Sequence, residues 1–262
     1  MRIALVLIPL LALAGCGSST KTSSSSTTKP AGDPAKSVVF VKAIYGDHEA
    51  NATGVVFDAE RGLVLTANHA VENAPAIEVT LSDGTLKHGR PVARAQCHDL
   101  AVLKLTPLPL GAPAIKFGNS RSVRLDETVR TVYYALPTPG STEAQLTNIR
   151  GSVSAVGVRE QFPPLPAIEP LIAHQSPLTA TASGSPLLSP SNEMIGMNTL
   201  VAHPRQADSP PGVEYALTSN YIRRRLGELR PGKGGAFGGW QAEHNACHAA
   251  LHKLIGAGHI HP

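Results

Sequence analysis

Charge is scarce in this 262-residue chain: 16% of its residues are Asp, Glu, Lys or Arg, and 23 basic against 19 acidic side chains leave a net charge of +4. The basic residues form no clustered face, which argues against a nucleic-acid partner. Long apolar runs are also missing. Beyond the first residues no stretch approaches the roughly 20 apolar residues that a membrane-spanning helix needs. Cysteine is limited to Cys16, Cys97 and Cys247, so at most one bridge can form within the chain. Glycine and proline, by contrast, are generous at 24 and 22 residues. Many short strands joined by tight turns give such a composition, whereas a helix bundle does not.

The first residues read as an export leader. Met1-Arg2 is a short positive start, and Ile3 to Ala14 is apolar apart from Pro9, too short for a finished transmembrane helix. The segment ends in Leu13-Ala14-Gly15-Cys16, which resembles the bacterial lipobox. That resemblance implies cleavage before Cys16 and lipidation of its thiol, giving a membrane anchor rather than a span. An ordinary secretory signal with a chance cysteine is the alternative. The Ser/Thr run that follows can bury no core and reads as a tether over residues 16–36.

From Ser37 the pattern changes. Ser37 to Tyr45, Thr53 to Asp58, Gly62 to Thr66, Ile77 to Leu81, Leu86 to Ala93 and Leu100 to Leu105 are short, β-branched or apolar runs. Ser82-Asp83-Gly84 supplies a hairpin turn between two of them. After the proline-rich crossover Pro107 to Pro113 a second series begins: Val129 to Ala135, Thr147 to Val158, Leu171 to Gln175, Leu187-Leu188, Met194 to Leu200 and Val213 to Leu217. Two successive sets of six strands predict an all-β fold of two six-stranded antiparallel barrels. Helices are expected at Asn220 to Leu229, closing the domain, and at Trp240 to Ile255.

Three stretches carry chemistry. Gly62-Leu63-Val64-Leu65-Thr66-Ala67-Asn68-His69-Ala70-Val71 delivers a histidine at the end of an apolar strand. His98-Asp99-Leu100-Ala101-Val102-Leu103-Lys104 puts an aspartate just ahead of another. Thr181-Ala182-Ser183-Gly184-Ser185-Pro186-Leu187, followed by Ile195-Gly196-Met197-Asn198-Thr199, sets a serine in a small-residue loop before a third. Together, and in this order, they resemble the histidine, aspartate and serine segments of trypsin-like serine proteases, above all the HtrA-like group. Gly212 to Asn220 resembles the last strand and the start of the closing helix of that domain.

The resemblance implies a triad of His69, Asp99 and Ser183. His69 would take the proton of Ser183 and return it to the leaving amine, while Asp99 fixes the tautomer of His69. It also implies an oxyanion hole made by the backbone N–H groups of Ser183 and of the residue two before it, here Thr181. The family pattern G-N-S-G-G-P-L has glycine there, and a second departure puts Ser185 at its last glycine. Should the active loop need positive φ at Thr181, a β-branched residue costs about 1–3 kcal/mol there. A weak or inactive peptide-binding module is therefore the alternative to a working endopeptidase. The primary pocket is expected against Pro177 and Met197-Asn198-Thr199, without a carboxylate, which favours a small or medium apolar residue. The chain is too short for the PDZ domain that often follows in this group.

These readings divide the chain into a leader (1–15), a tether (16–36), a protease domain (37–230) and a glycine-rich hinge with a His-rich helix (231–262). On that helix His244, His248 and His252 recur every four residues, either as solvated side chains or as metal ligands helped by Cys247, His259 and His261; the solvated reading is preferred, and no metal or cofactor is expected. With Cys16 lipidated, Cys97 and Cys247 are either a disulfide or two buried thiols. Protein or peptide substrates, a lipid-anchored extracytoplasmic location and no nucleic acid complete the expectation. The oligomeric state is not fixed by the sequence.

Overall fold

In the first half of the chain each apolar run becomes a strand: β1 (Val38–Tyr45), β2 (His48–Asp58), β3 (Leu63–Ala67), β4 (Ala76–Thr80), β5 (Leu86–Ala95) and β6 (Leu100–Thr106). They pair antiparallel in the order β1-β2-β3-β6-β5-β4, and β4 returns to β1 to close a barrel. Closure leaves no edge with unpaired backbone groups. The second half repeats the plan with β7 (Thr128–Ala135), β8 (Gln145–Glu160), β9 (Ile168–Gln175), β10 (Pro186–Leu188), β11 (Met194–Asn198) and β12 (Glu214–Thr218), closed in the order β10-β11-β12-β9-β8-β7. One helix, α1 (Ser219–Glu228), follows β12 directly. The two six-stranded barrels and the closing helix are the architecture that the sequence predicts. This computed structural model describes residues 32–138, 141, 143–162, 167–200, 212–231 and 237–238.

Side-chain alternation sorts the core into layers. Along β1, Val39 and Val41 fill the first barrel with Val56, Val64 and Leu103, while Val38 and Phe40 face the other way. The outward set packs with Tyr134, Leu171, Met197 and Leu217 of the second barrel in one continuous cluster. Strands such as β3 are thus buried on both faces, which is why Leu63-Val64-Leu65 reads as an unbroken apolar run. The second barrel has its own filling of Val129, Val153, Ile172, Leu187, Ile195 and Ala216.

The main departure from expectation is β2, which begins at His48, five residues before Thr53. Its polar first half pairs with the far end of β1 across the Gly46-Asp47 turn, from Tyr45↔His48 to Ala43↔Ala50. Both strands lose their apolar alternation there, because that end of the hairpin is half exposed. The leader, all but the end of the tether, and the expected helix Trp240 to Ile255 lie outside the described residues. Among the described residues no helix is long and apolar enough to cross a membrane.

Candidate active site

Register brings His69 and Asp99 together. β3 and β6 pair with Ala67 opposite Leu100, so the residues just after β3 and just before β6 emerge at the same end of the barrel. Asn68 N–H donates to the Asp99 carbonyl at 3.2 Å. Asp99 caps the 3-10 turn Gln96–His98 in the left-handed region, at φ 50° and ψ 41°, a conformation that aspartate tolerates better than most residues. Its carboxylate is 1% exposed and fully bonded. His69 N–H donates to Oδ1 at 2.9 Å, and His69 Nδ1 lies 3.0 Å from Oδ1 and 2.9 Å from Oδ2. Thr199 Oγ1 donates to Oδ2 at 2.6 Å.

A carboxylate only accepts, so Nδ1 of His69 carries the hydrogen and Nε2 is left as the basic nitrogen. Burial alone would disfavour the imidazolium. The Asp99 charge and hydrogen bond, with a smaller contribution from Glu72, outweigh it and raise the pKa of His69 above 6.5. For Asp99 burial likewise opposes ionisation, yet the charge and hydrogen bonds of His69 and the Thr199 hydroxyl hold its pKa below 3.8. The pair is arranged so that each partner favours the charged form of the other.

Ser183 sits on the loop between β9 and β10, at the end of the 3-10 turn Ala180–Ala182. The loop is sewn to the first barrel. Thr53 N–H donates to Ser183 O at 3.0 Å, and Thr53 Oγ1 donates to Thr181 O at 2.8 Å. Thr66 Oγ1 in turn donates to Thr53 O at 2.8 Å. Gly184 lies against the same strands at φ 87°, and a Cβ there would come within 2.1 Å of Thr53 O and 3.0 Å of Ala67 N. Only glycine can occupy that position. The loop bearing Ser183 therefore packs directly on the strand that leads into His69.

The two residues expected at an oxyanion hole, Thr181 and Ser183, show a specific arrangement. Ser183 N–H donates to Ala180 O at 3.1 Å, and Ala182 N–H donates to Thr179 O at 2.9 Å. Thr181 lies inside this 3-10 turn rather than in the left-handed region, and its hydroxyl is 3.1 Å from Thr179 Oγ1. In this conformation the Ser183 amide is engaged within the chain.

Two side chains that shape this site went unnoticed in the sequence, and a third, Thr199, was expected only as pocket lining. Thr53 and Thr199 hold the loop and the aspartate as described, and His174 lies buried beneath Asn198. The expected pocket lining is otherwise engaged: Met197 belongs to the cluster between the barrels, and the Asn198 side chain bonds Thr131 and Ser185. Cys97 is disulfide-bonded. Cys247, its expected partner, lies outside the described residues, as do Cys16 and the tail histidines.

Comparison with known proteins agrees with this fold. The family model of the trypsin-like peptidase domain matches residues 52–197. The periplasmic serine endoprotease DegP of Escherichia coli (strain K12) is 30% identical over 185 residues, covering 69% of this chain and 36% of that protein. The probable periplasmic serine protease do/HhoA-like of Haemophilus influenzae is 30% identical over 194 residues, covering 71% of this chain and 39% of that protein. The chain thus spans little more than a third of the length of these curated relatives. Among solved structures, an HtrA-type protease AlgW with a tripeptide superposes with a TM-score of 0.62 at 24% identity, over 75% of this chain and 60% of that one. The serine endoprotease from Yersinia pestis gives a TM-score of 0.60 at 21% identity, over 76% and 66%. The chain belongs to the trypsin-like peptidases and, within them, to the HtrA-like serine protease family.

Proposed function

We propose that this chain is a serine endopeptidase of the bacterial cell envelope, with Ser183 as nucleophile, His69 as general base and acid, and Asp99 as the group that orients His69. The observation that carries this reading is the buried Asp99 carboxylate, which grips both the ring and the backbone of His69 while Thr199 holds it from behind. Ser183 Oγ adds to the scissile carbonyl as its proton passes to Nε2 of His69. The same proton then goes to the leaving amine, and the C–N bond breaks to leave an acyl-enzyme. Water repeats the sequence to release the acid and restore Ser183.

A second reading is supported by the Ser183 N–H bond to Ala180 O. An amide engaged in this way does not stabilise an oxyanion, and losing one such donor lowers turnover by about 100- to 1000-fold. On that reading the chain is a weak or inactive protease fold that binds peptides. The two separate by labelling of the purified full-length protein with a serine-directed phosphonate. Labelling of wild type, lost in Ser183→Ala and in His69→Ala, establishes the enzyme. No labelling of correctly folded protein establishes the binding module.

Location and anchoring are part of the same proposal. The Leu13-Ala14-Gly15-Cys16 motif and the polar tether support a lipid anchor at Cys16, and the relatives named above are periplasmic. Substrates would be envelope or misfolded proteins, presented as extended segments to the loop around Ser183.

A further inference from the structure

Beneath the nucleophile loop the second barrel is not apolar. Thr131, His174, Ser185 and Asn198 are all 0% exposed and Ser176 is 2% exposed. They form one polar layer above the Val129, Ile172 and Ile195 filling. Ser176 Oγ lies 2.9 Å from His174 Nδ1, and His174 Nε2 lies 2.8 Å from Asn198 Oδ1. Asn198 Nδ2 donates to Ser185 Oγ at 2.9 Å, to Thr131 Oγ1 at 3.2 Å and to Ser185 O at 3.3 Å. Val153 and Glu214 flank His174 on β8 and β12.

The donor and acceptor pattern fixes the Asn198 amide and one hydrogen of the His174 ring. Ser185 O is a carbonyl and can only accept, so the Asn198 amide must present Nδ2 to it. Oδ1 then faces His174, whose Nε2 must carry a hydrogen, and a neutral ring accepts the Ser176 hydroxyl at Nδ1. Were the amide to turn over, Oδ1 would meet the Ser185 carbonyl, two acceptors face to face. Asn198 also holds the loop with its backbone, accepting from Gly184 N–H at 2.8 Å and donating to Ser185 O at 2.9 Å. Its neighbour Thr199 holds Asp99. One residue thus sits between the nucleophile loop and the support of the aspartate, and His174 completes the hydrogen bonding of its amide at Oδ1.

We infer that His174 is a positioning residue for the nucleophile: through Asn198 it locks Ser185, and with it Gly184 and Ser183, into one loop conformation. The serine that stands at the last glycine of the family pattern then adds a shorter attachment to this network, because glycine offers the carbonyl but no hydroxyl to Asn198. Space has been made at the Ser176 end of the network as well. A Cβ on Gly151 would fall 2.1 Å from Ser176 Oγ, so the hydroxyl that orients His174 fits only against glycine.

This inference rests on the protease reading for its catalytic consequence but not for its structural one, and the test separates the two. Amide hydrogen exchange is measured in the full-length protein at Gly184 and Asn198, for wild type, His174→Leu and His174→Gln, with thermal melting to show that each is folded. His174→Leu should speed exchange at both amides about tenfold while the first barrel keeps its protection. His174→Gln, whose side-chain N–H reaches the place of Nε2, should stay within about threefold of wild type. Phosphonate labelling of Ser183 should follow the same order. In a Ser185→Gly background the leucine substitution should change either readout by a smaller factor than in the parent, since only the carbonyl of residue 185 is left to the Asn198 amide. Unchanged exchange in His174→Leu, equal loss in His174→Gln, or an undiminished effect without Ser185 would each overturn the proposal. Should His174→Leu fail to fold, the decision passes to the other two variants: Ser185→Gly must speed exchange at Gly184 and His174→Gln must not. A wild type that never labels refutes the protease reading alone, and exchange still decides this one.

Discussion

Thr53, in the first barrel, holds Ser183, in the second: its N–H bonds the Ser183 carbonyl at 3.0 Å while its hydroxyl bonds the Thr181 carbonyl at 2.8 Å. The same hydroxyl accepts the Tyr134 N–H at 3.1 Å. A fully buried side chain therefore ties the loop to β7 and to β2 at once. Thr53→Val keeps the shape and removes the hydroxyl, leaving the Thr181 carbonyl and the Tyr134 amide without this partner. Thermal unfolding should show a loss of about 1–3 kcal/mol, and labelling of Ser183 should slow. Thr53→Ser should recover both. A valine variant as stable and reactive as wild type would remove Thr53 from the account.

The pH response follows from the His69–Asp99 pair. His69 must be neutral to accept a proton, and its pKa is raised above 6.5, so the rising limb of kcat/KM should have its midpoint above 6.5. Asp99→Asn should move that limb to lower pH and lower kcat by about 10⁴-fold, because the amide no longer enforces the Nδ1–H tautomer. Stability carries the same signature with two signs. The raised His69 contributes stability that is complete below its unfolded value, near 6.5, and is lost as pH rises through the folded value. The lowered Asp99 contributes stability present above 3.8 and lost as pH falls through its folded value. Melting curves from about pH 4 to about pH 9 should therefore show the Asp99→Asn penalty largest at the acid side of neutrality. An equal penalty at every pH would contradict the coupling.

Thr199 is the outer support of that carboxylate. Thr199→Val removes a 2.6 Å hydrogen bond to Asp99 Oδ2, one of the interactions that hold the carboxyl pKa down. A hydrogen bond to a buried charge is worth about 1.5–3 kcal/mol, so labelling of Ser183 should slow by about tenfold or more. The acid limb of stability should also move to higher pH. Thr199→Ser, which keeps the donor, should leave both near wild type; serine behaving like valine would mean that the methyl group, not the hydroxyl, matters.

The barrels were legible because their strands are short, apolar and punctuated by turns, and the candidate residues because His69 and Asp99 adjoin such strands and Ser183 stands in a small-residue loop just ahead of one. What stayed hidden was polar and inward. Thr53, Thr131 and His174 interrupt apolar runs, and in a sequence such residues read as solvent-facing. Their partners are up to 128 residues away, as in Thr53 and Thr181, so no local spacing announces them. The polar start of β2 was missed for a related reason: pairing with β1 extends a strand past the point where burial ends. The turn Tyr45-Gly46-Asp47-His48 was the available signal, since a glycine followed by aspartate between two extended runs marks a two-residue hairpin.

The cysteines give a covalent test. Cys97 is bridged, and we expect its partner to be Cys247, with Cys16 reserved for lipid. Non-reducing peptide mapping of exported protein should yield one cross-linked pair joining Cys97 to Cys247. Mass spectrometry of the mature N-terminus should find an acylated Cys16. A bridge to Cys16, or a soluble protein with that cysteine unmodified, would reject the anchor.

Thr181 decides whether the loop is a brake. In the present conformation Ser183 N–H is bonded to Ala180 O and Thr181 lies within a 3-10 turn, so its β-branched side chain is comfortable. To receive an oxyanion the Ala180–Thr181 peptide must turn so that Ala180 O releases the Ser183 amide and Thr181 N–H takes its place in the hole. If that turn carries Thr181 to positive φ, the chain meets a cost of about 1–3 kcal/mol that glycine would avoid. Wild type should then cleave unfolded substrates slowly, and Ser183→Ala should abolish cleavage. Thr181→Gly should raise kcat, a tenfold gain corresponding to about 1.4 kcal/mol of relieved strain, with KM little altered because ground-state contacts are untouched. Its effect should vanish in the Ser183→Ala background, which excludes a contaminating protease. A glycine variant no faster than wild type would show that the turn is not uphill for threonine, and that the closed amide is opened by something other than this residue.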